Sequence, residues 1–289
     1  MTVSVIIPIF NRSATILRAS HSVLAEDQVS ELILIDDGSS DNFTSVLQEI
    51  KKACRRSNAI FHFHQNLVNM GPAYSRNKGV SLSSNDIIAF HDADDIWILG
   101  KLKYQLKMLK SQEDLVIGNM TTKFSNSKRL IRQNKHLNLP ATVQKVLDGK
   151  FSTTTPTMLM YKRTFLEANG FDANLRLRED HDFFIRHIRN GGVIKCGKRE
   201  VAIRIYDGYN YSKSLNVFRR YRAELQFLVK HKAALDFSQE RKQVISRLVR
   251  LNADYSISGS LIAVREIGIL KLIKIKLNSI ISYSIQRFL

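Results

Sequence analysis

Cysteine, proline and tryptophan are scarce in this chain, with two, four and one among 289 residues. Cys54 and Cys196 stand far apart with no CxxC or Cys/His spacing around them. That excludes a zinc module and a disulfide framework, and it points to a reducing, cytosolic setting. Long apolar runs are missing as well. The best late candidate, Ile257 to Leu270, is broken by Arg265 and Glu266, so no window approaches the roughly 18 to 20 apolar residues of a spanning helix. The opening run Val3 to Pro8 is too short for a signal peptide and lacks its cationic lead, so secretion is not expected. Acid is the last deficit: 26 Asp/Glu against 44 Lys/Arg leave a formal net charge of +18. A partner of opposite sign follows, whether nucleic acid, anionic lipid or a phosphate-bearing substrate. From Lys213 onward 15 Lys/Arg face 5 Asp/Glu, so the tail is the basic part.

What is present begins with a β-branched run, residues 3 to 8, of the kind buried on both faces of a parallel sheet. Asn11 and Ser13 offer helix caps, and Ile16, Leu17, Ser20, Val23 and Leu24 recur at helical spacing. Leu32 to Ile35 is a second strand, closed by Asp36-Asp37-Gly38-Ser39-Ser40, and Val46, Leu47 and Ile50 mark the next helix. Ile60 to His64 and Asp86 to Phe90 are further strands, and Pro72 after Gly71 suits a first helical turn. Four such units in about a hundred residues predict a doubly wound α/β fold with a mostly parallel sheet. Its ligands sit beyond the carboxyl ends of the strands. Residues 115 to 204 are less regular and are expected to complete the cleft. From about Leu215 the pattern is helical to the end.

Three strand ends carry polar signals. Asp92-Ala93-Asp94-Asp95 packs carboxylates that repel one another, an arrangement that a Mg²⁺ or Mn²⁺ ion bound to a phosphate would relieve. Its plainer reading is a solvated turn with Asp95 capping the next helix. Asp36-Asp37-Gly38-Ser39 is either a β-turn with Ser40 as a helix cap, or a site where one Asp accepts hydrogen bonds from a nucleobase or ribose. Gly71 to Gly79 is a helix entry whose Arg76 either faces solvent or turns toward a diphosphate. Glu179-Asp180-His181-Asp182 places acids where a helix dipole favours them, and an aspartate there is also placed to deprotonate an attacking hydroxyl. His62, His64 and His181 read as structural.

In order and spacing these motifs resemble the inverting glycosyltransferases of family 2, which have the GT-A fold and serve bacterial O-antigen, capsule and exopolysaccharide assembly. The resemblance runs from Val3-Ser4-Val5-Ile6-Ile7-Pro8-Ile9-Phe10-Asn11 through Ile35-Asp36-Asp37-Gly38-Ser39, Gly71, Ser75-Arg76-Asn77-Lys78-Gly79 and Asp92-Ala93-Asp94-Asp95. It ends at Gly170-Phe171-Asp172 and Glu179-Asp180, so it covers residues 3 to 190. It implies a GT-A catalytic domain over 1–212, with a nucleotide-binding half to about 114, and a basic helical region over 213–289. It also implies that Pro8, Asn11, Asp36, Asp37, Arg76, Asp92 and Ala93 bind the nucleotide sugar, with Asp37 on the uracil and Asp92 near the ribose. Asp94 would hold Mn²⁺ or Mg²⁺, Asp180 would be the base, and Asp95 and Glu179 would support them. Processive members carry Gln-x-x-Arg-Trp, whereas the single tryptophan here is Trp97, so one sugar per cycle is implied. His91 stands where the family commonly has an apolar residue.

A cationic amphipathic tail suits either an anionic membrane surface, at about 1 kcal/mol per cation, or a bundle packed on the core. The membrane reading fits a lipid-linked saccharide acceptor and a peripheral place on the inner face of the cytoplasmic membrane. The rivals are a nucleotidyltransferase of similar topology and a nucleic-acid-binding protein. The latter is disfavoured by acids in the first half and by the lack of a known nucleic-acid module. No GxGxxG follows the first strand, which argues against a dehydrogenase.

Overall fold

The computed structural model describes residues 1–124, 130–133, 142–147 and 154–206, together with Ala223, Gln226, Phe227, Lys230 and His231. The chain divides into two compact units, Met1–Val146 with Lys150–Gly208, and Leu147–Gly149 with Tyr209–Leu289. In the second unit the described rings of Phe227 and His231 pack at a tilt of 52°, with centroids 4.8 Å apart. The helical pattern expected from Leu215 to the end otherwise lies outside the described residues.

The first unit opens with β1 (Val3–Ile9), α1 (Ser13–Leu24), β2 (Val29–Asp36), α2 (Thr44–Arg56), β3 (Ile60–Gln65), α3 (Pro72–Leu82) and β4 (Ile87–Phe90). It continues through β5 (Ile96–Trp97), α4 (Lys101–Leu106), β6 (Asp114–Phe124), β7 (Leu130–Gln133) and α5 (Val143–Leu147). A 3₁₀ turn at Thr155–Thr157 leads to β8 (Leu159–Tyr161), α6 (Lys162–Glu167), α7 (Glu179–Arg189) and β9 (Val193–Tyr206). The strands form one sheet in the order β3-β2-β1-β4-β8-β6-β9-β5, with β7 beside β6. The first four strands are parallel, β8 runs antiparallel to β4 and β6, and β6 pairs β9 in parallel. The expected parallel half is therefore present, and the irregular middle of the sequence supplies the mixed half.

The central strands are apolar throughout because both faces are covered: Val3, Val5, Ile6, Ile7, Leu32, Ile33, Leu34 and Ile35 are all buried. Helix α3 lies against β1 because Gly79 has no Cβ to strike the Ile6 side chain. Pro8 pairs with Ile35 of β2, two positions beyond the last pair that β1 makes with β4, where its missing N–H costs no ladder bond on that side. Strand order reverses between β1 and β4, which is where an open α/β sheet leaves a crevice.

The local capping signals went astray. Asn11 caps no helix; at φ 52° its Oδ1 instead accepts from the Ser40 amide at 2.8 Å and hydroxyl at 3.2 Å. The first amide of α1, that of Ser13, is taken by Asp41 at 2.7 Å. Ser40 lies four residues short of α2, and Asp95 runs directly into β5. The cap of α4 comes from outside its own segment: Glu26 accepts from the amides of Gly100, Lys101 and Leu102, placing a carboxylate at the positive end of the helix.

Candidate active site

The loops after β1, β2, β3 and β4 leave the same end of the sheet, and they are tied to one another by the acids the sequence singles out. Asp36 ends β2 and accepts from Ser39 N at 3.0 Å and Gln65 Nε2 at 2.9 Å. Asp37 is buried and accepts from Asn66 Nδ2 and Met70 N at 2.9 Å each and from Gly71 N at 2.7 Å. Three of the roughly four acceptor positions of that carboxylate are thus filled by the protein. Asp37 fixes the entry to α3, and a nucleobase contact would have to share it with those bonds.

Arg76 projects from α3 into the interior, and it brings the two ends of the candidate site together. Its Nη2 donates to Asp92 Oδ1 at 2.8 Å and its Nη1 to Glu179 Oε1 at 3.1 Å, while the guanidinium lies 5.7 Å from the centre of the Phe171 ring. Burial works against the charge, and Asp92 and Glu179 more than restore it, so the pKa of Arg76 is raised. Its Nε is buried with no partner among the described residues. One guanidinium therefore spans the Asp92 cluster and the acids at the start of α7.

Asp94 is held from the other side. Arg12, following Asn11 at the end of β1, donates to Asp94 Oδ2 at 3.1 Å, and Arg18 of α1 donates to the Asp94 carbonyl at 2.9 Å. Burial, then the charge of Asp92, raise the pKa of Asp94 despite Arg12. Asp95 is buried, its Oδ2 without a hydrogen-bond partner among the described residues; burial first and Asp92 next push its pKa well above the ordinary carboxylate value. Ala93 between them is buried. The 3₁₀ turn reaches the same place: Trp97 Nε1 donates to the Pro156 carbonyl and Gln105 Nε2 to that of Thr157, and Thr155 Oγ1 then meets Asp92 Oδ1 at 3.4 Å.

Helix α7 begins at Glu179 behind Arg178, which takes the left-handed conformation at φ 63°. Asp180 Oδ1 accepts from the His181 amide at 2.7 Å and lies 2.9 Å from the ring Nδ1 of the same residue. Burial, reinforced by Asp180, raises the pKa of Glu179 to about 7 against the pull of Arg76. The structure thus gathers Asp92, Arg76, Glu179 and, next in sequence, Asp180 on one side, and Asp94 with Arg12 on the other. Asn11, Asp36 and Asp37 form the adjoining loop framework. Arg12, Thr155 and His181 escaped sequence reasoning as site residues. For Thr155 the run Thr153-Thr154-Thr155-Pro156 is a signal, but for Arg12 there is none beyond its place after Asn11.

His91 is fully buried, its charged form favoured only weakly by the Asp95 backbone, and its ring centre lies 5.2 Å from that of Trp97. Burial drives its pKa down to about 3, so it is a neutral ring. It packs in the apolar place the family pattern suggests.

Among the described residues no three His, Cys, Asp or Glu side chains converge as a closed metal cage. The donor set suits a different kind of site. Asp92 and Asp94 are both partly exposed and both meet their arginines through a single oxygen. Mg²⁺ and Mn²⁺ are commonly held by one or two carboxylates together with substrate phosphate oxygens.

A family model described as glycosyl transferase family 2 matches residues 4–170. The chain belongs to that family. A curated relative, the succinoglycan biosynthesis protein ExoU of Rhizobium meliloti, is 31% identical over 222 residues, covering 69% of this chain and 62% of its own length. The match therefore spans less than two thirds of that relative, and only about a third of an uncharacterized glycosyltransferase of Rickettsia felis, where 29% identity covers 34% of its length. The GalNAc(5)-diNAcBac-PP-undecaprenol beta-1,3-glucosyltransferase of Campylobacter jejuni is 28% identical, covering 71% of each chain. Among solved structures, S. aureus TarS 1–349 in complex with UDP-GlcNAc superposes with a TM-score of 0.63 at 19% identity, covering 89% of this chain and 74% of that one. The expected GT-A-like architecture is the one observed, and membership of the family displaces the nucleotidyltransferase and nucleic-acid readings.

Proposed function

We propose that this glycosyltransferase family 2 chain transfers one sugar from a UDP-sugar to a hydroxyl of a lipid-linked saccharide, with inversion, in bacterial surface polysaccharide assembly. The observation that carries the reading is the double engagement of Arg76, 2.8 Å from Asp92 and 3.1 Å from Glu179, which sets the candidate donor acids and the acids of α7 on either side of one guanidinium. The printed names of relatives support the substrates: TarS was solved with UDP-GlcNAc, and the Campylobacter jejuni enzyme is named for an undecaprenol-linked acceptor.

In this reading Asp94, assisted by Asp92, holds Mn²⁺ or Mg²⁺ together with the diphosphate. A bound ion of that kind supplies charge neutralisation on the departing UDP. Asp180 takes the proton of the acceptor hydroxyl as its oxygen bonds to the anomeric carbon, while the bond to the diphosphate oxygen breaks and UDP leaves with the electron pair. The His181 amide, donating at 2.7 Å, keeps the Asp180 carboxylate oriented. Arg76 sets a guanidinium against Asp92 at 2.8 Å, and Arg12 opposes the rise in the pKa of Asp94. No helix among the described residues is long and apolar enough to cross a membrane. The reading places the enzyme peripherally, on the inner face of the cytoplasmic membrane.

A thermal-shift screen of nucleotide sugars with and without Mn²⁺ tests this. A UDP-sugar raises the melting temperature only when the metal is present, and Asp94→Ala abolishes the rise. A shift independent of metal, or none with any nucleotide sugar, refutes the proposal.

A further inference from the structure

The loop joining β3 to α3 presents an apolar tip beside the site. Leu67 is fully exposed, Val68 is 62% exposed and Met70 39%, with Phe63 of β3 at 39% and Tyr74 of α3 at 36%. These side chains are not outward for want of anchoring. Asn66 N donates to the Asp36 carbonyl at 2.8 Å, and the Asp37 carboxylate holds Asn66 Nδ2, Met70 N and Gly71 N. Gly38, at φ 74°, passes so close beneath that a Cβ there would meet the Val68 carbonyl carbon at 2.9 Å. A buried carboxylate and a glycine thus fix the backbone while its apolar side chains point to solvent. Cations flank the tip. The Arg176 guanidinium lies against Gly71, and Lys78 is one turn beyond Tyr74 on the same face of α3.

We propose that this tip is a membrane-contact element, in which Leu67, Val68 and Met70 enter the boundary between headgroups and acyl chains of an anionic bilayer. A protein partner would need a complementary surface, roughly 1,000 Å² counted over both sides, whereas a bilayer accepts single apolar side chains without one. The net charge of +18 complements anionic headgroups. Position agrees as well, because the tip leaves the same end of the sheet as Asp36, Asp37 and the Asp92 cluster. The inference rests on the lipid-linked acceptor proposed above and assigns the part of the catalytic unit that meets the lipid. Contact through this loop brings the mouth of the cleft to the surface where the saccharide of such an acceptor lies.

The test is co-sedimentation of the full chain with phosphatidylcholine vesicles, with and without phosphatidylglycerol, at low salt and at about 0.5 M, where surface charge is screened. A salt-resistant bound fraction is expected. In Leu67→Asp/Val68→Asp it drops by about tenfold or more, because burial of even one such side chain is worth roughly a factor of ten. The melting temperature and the binding of UDP with Mn²⁺ stay as in the parent chain. In Leu67→Trp, vesicles shift the new tryptophan emission to the blue, against a native Trp97 that is already buried. Unchanged salt-resistant binding in the double variant, no salt-resistant binding by the parent chain, or no shift in Leu67→Trp overturns the proposal. So does a concentration-dependent gain in mass without vesicles that the double variant abolishes, since the occupant is then a second copy. Partitioning is read without donor, so failure to bind UDP strikes only the catalytic reading.

Discussion

Buried acids stand at both ends of the sheet, and those near the starts of β2 and β6 have surroundings opposite to those of the Asp92 cluster and the start of α7. Near the start of β2, Glu31 is buried; burial alone would raise its pKa, but Ser4, Ser84 and the charge of His62 hold it below the ordinary value. Asp114, opening β6, is treated alike, held down by Lys195 and the amides of Lys110 and Ser111. At the other end of the sheet the balance reverses. Asp94, Asp95 and Glu179 all have raised pKa values, and Asp95 Oδ2 and Arg76 Nε are buried without a hydrogen-bond partner among the described residues. Acids that serve the fold are saturated by it. Acids kept short of positive charge are those a cation and a polar substrate would complete.

The comparison is broken most directly at Asp180. Asp180→Asn is expected to retain UDP-sugar binding and to lose transfer by about 100- to 10,000-fold, the range of a general base. Single-turnover kinetics at saturating donor measures it, and near-normal turnover clears the residue of that role.

Arg76→Met comes next. It leaves Asp92 and Glu179 facing each other across the cleft without their shared cation, and it should cost about 3 to 5 kcal/mol of folding stability in urea unfolding, as breaking a buried pair does. A loss under about 1 kcal/mol would mean that the two acids are already neutral and that the arginine holds nothing together. At the opposite end, Glu31→Ala strands Ser4, Ser84 and His62 and should cost about 1 to 3 kcal/mol. Its kcat/KM should match the parent enzyme. A large catalytic defect in a folded Glu31→Ala protein would erase the distinction between the two ends.

Much of this site was legible before the fold was seen, for a physical reason. Strands buried on both faces write themselves as β-branched runs, and the polar residues that end them stand out: Asp36 after Ile35, and Asp92 after Phe90 and His91. Pro72 and the acids of α7 announced helix starts in the same way. What stayed hidden were partners chosen across the chain. Nothing near Asp94 in sequence names Arg12, and nothing near α4 names Glu26. Asn11 and Ser40 looked like caps because their side chains suit caps, yet they bond to one another's loop instead. Such pairings depend on which strand ends become neighbours in the sheet, and a local pattern cannot carry that information.

The smallest effect is the sharpest test of the comparison, because its sign differs between the two ends. The pKa of Glu179 rises from 4.5 to about 7, so between those values the folded chain holds more proton than the unfolded one. Stability then falls as pH rises through that window and levels off above it. Glu31, whose pKa is lowered, contributes stability that is present above its unfolded value of 4.5 and fades as pH falls through its folded value. Glu179→Gln removes the first contribution alone. Its melting temperature should match the parent near pH 4, where Glu179 is largely neutral in the folded and unfolded chain alike, and exceed it near pH 8, where the parent carries a buried charge that Arg76 offsets in part. A difference that is the same at both pH values would place Glu179 among the saturated acids, with the cation shortage confined to the Asp92 cluster.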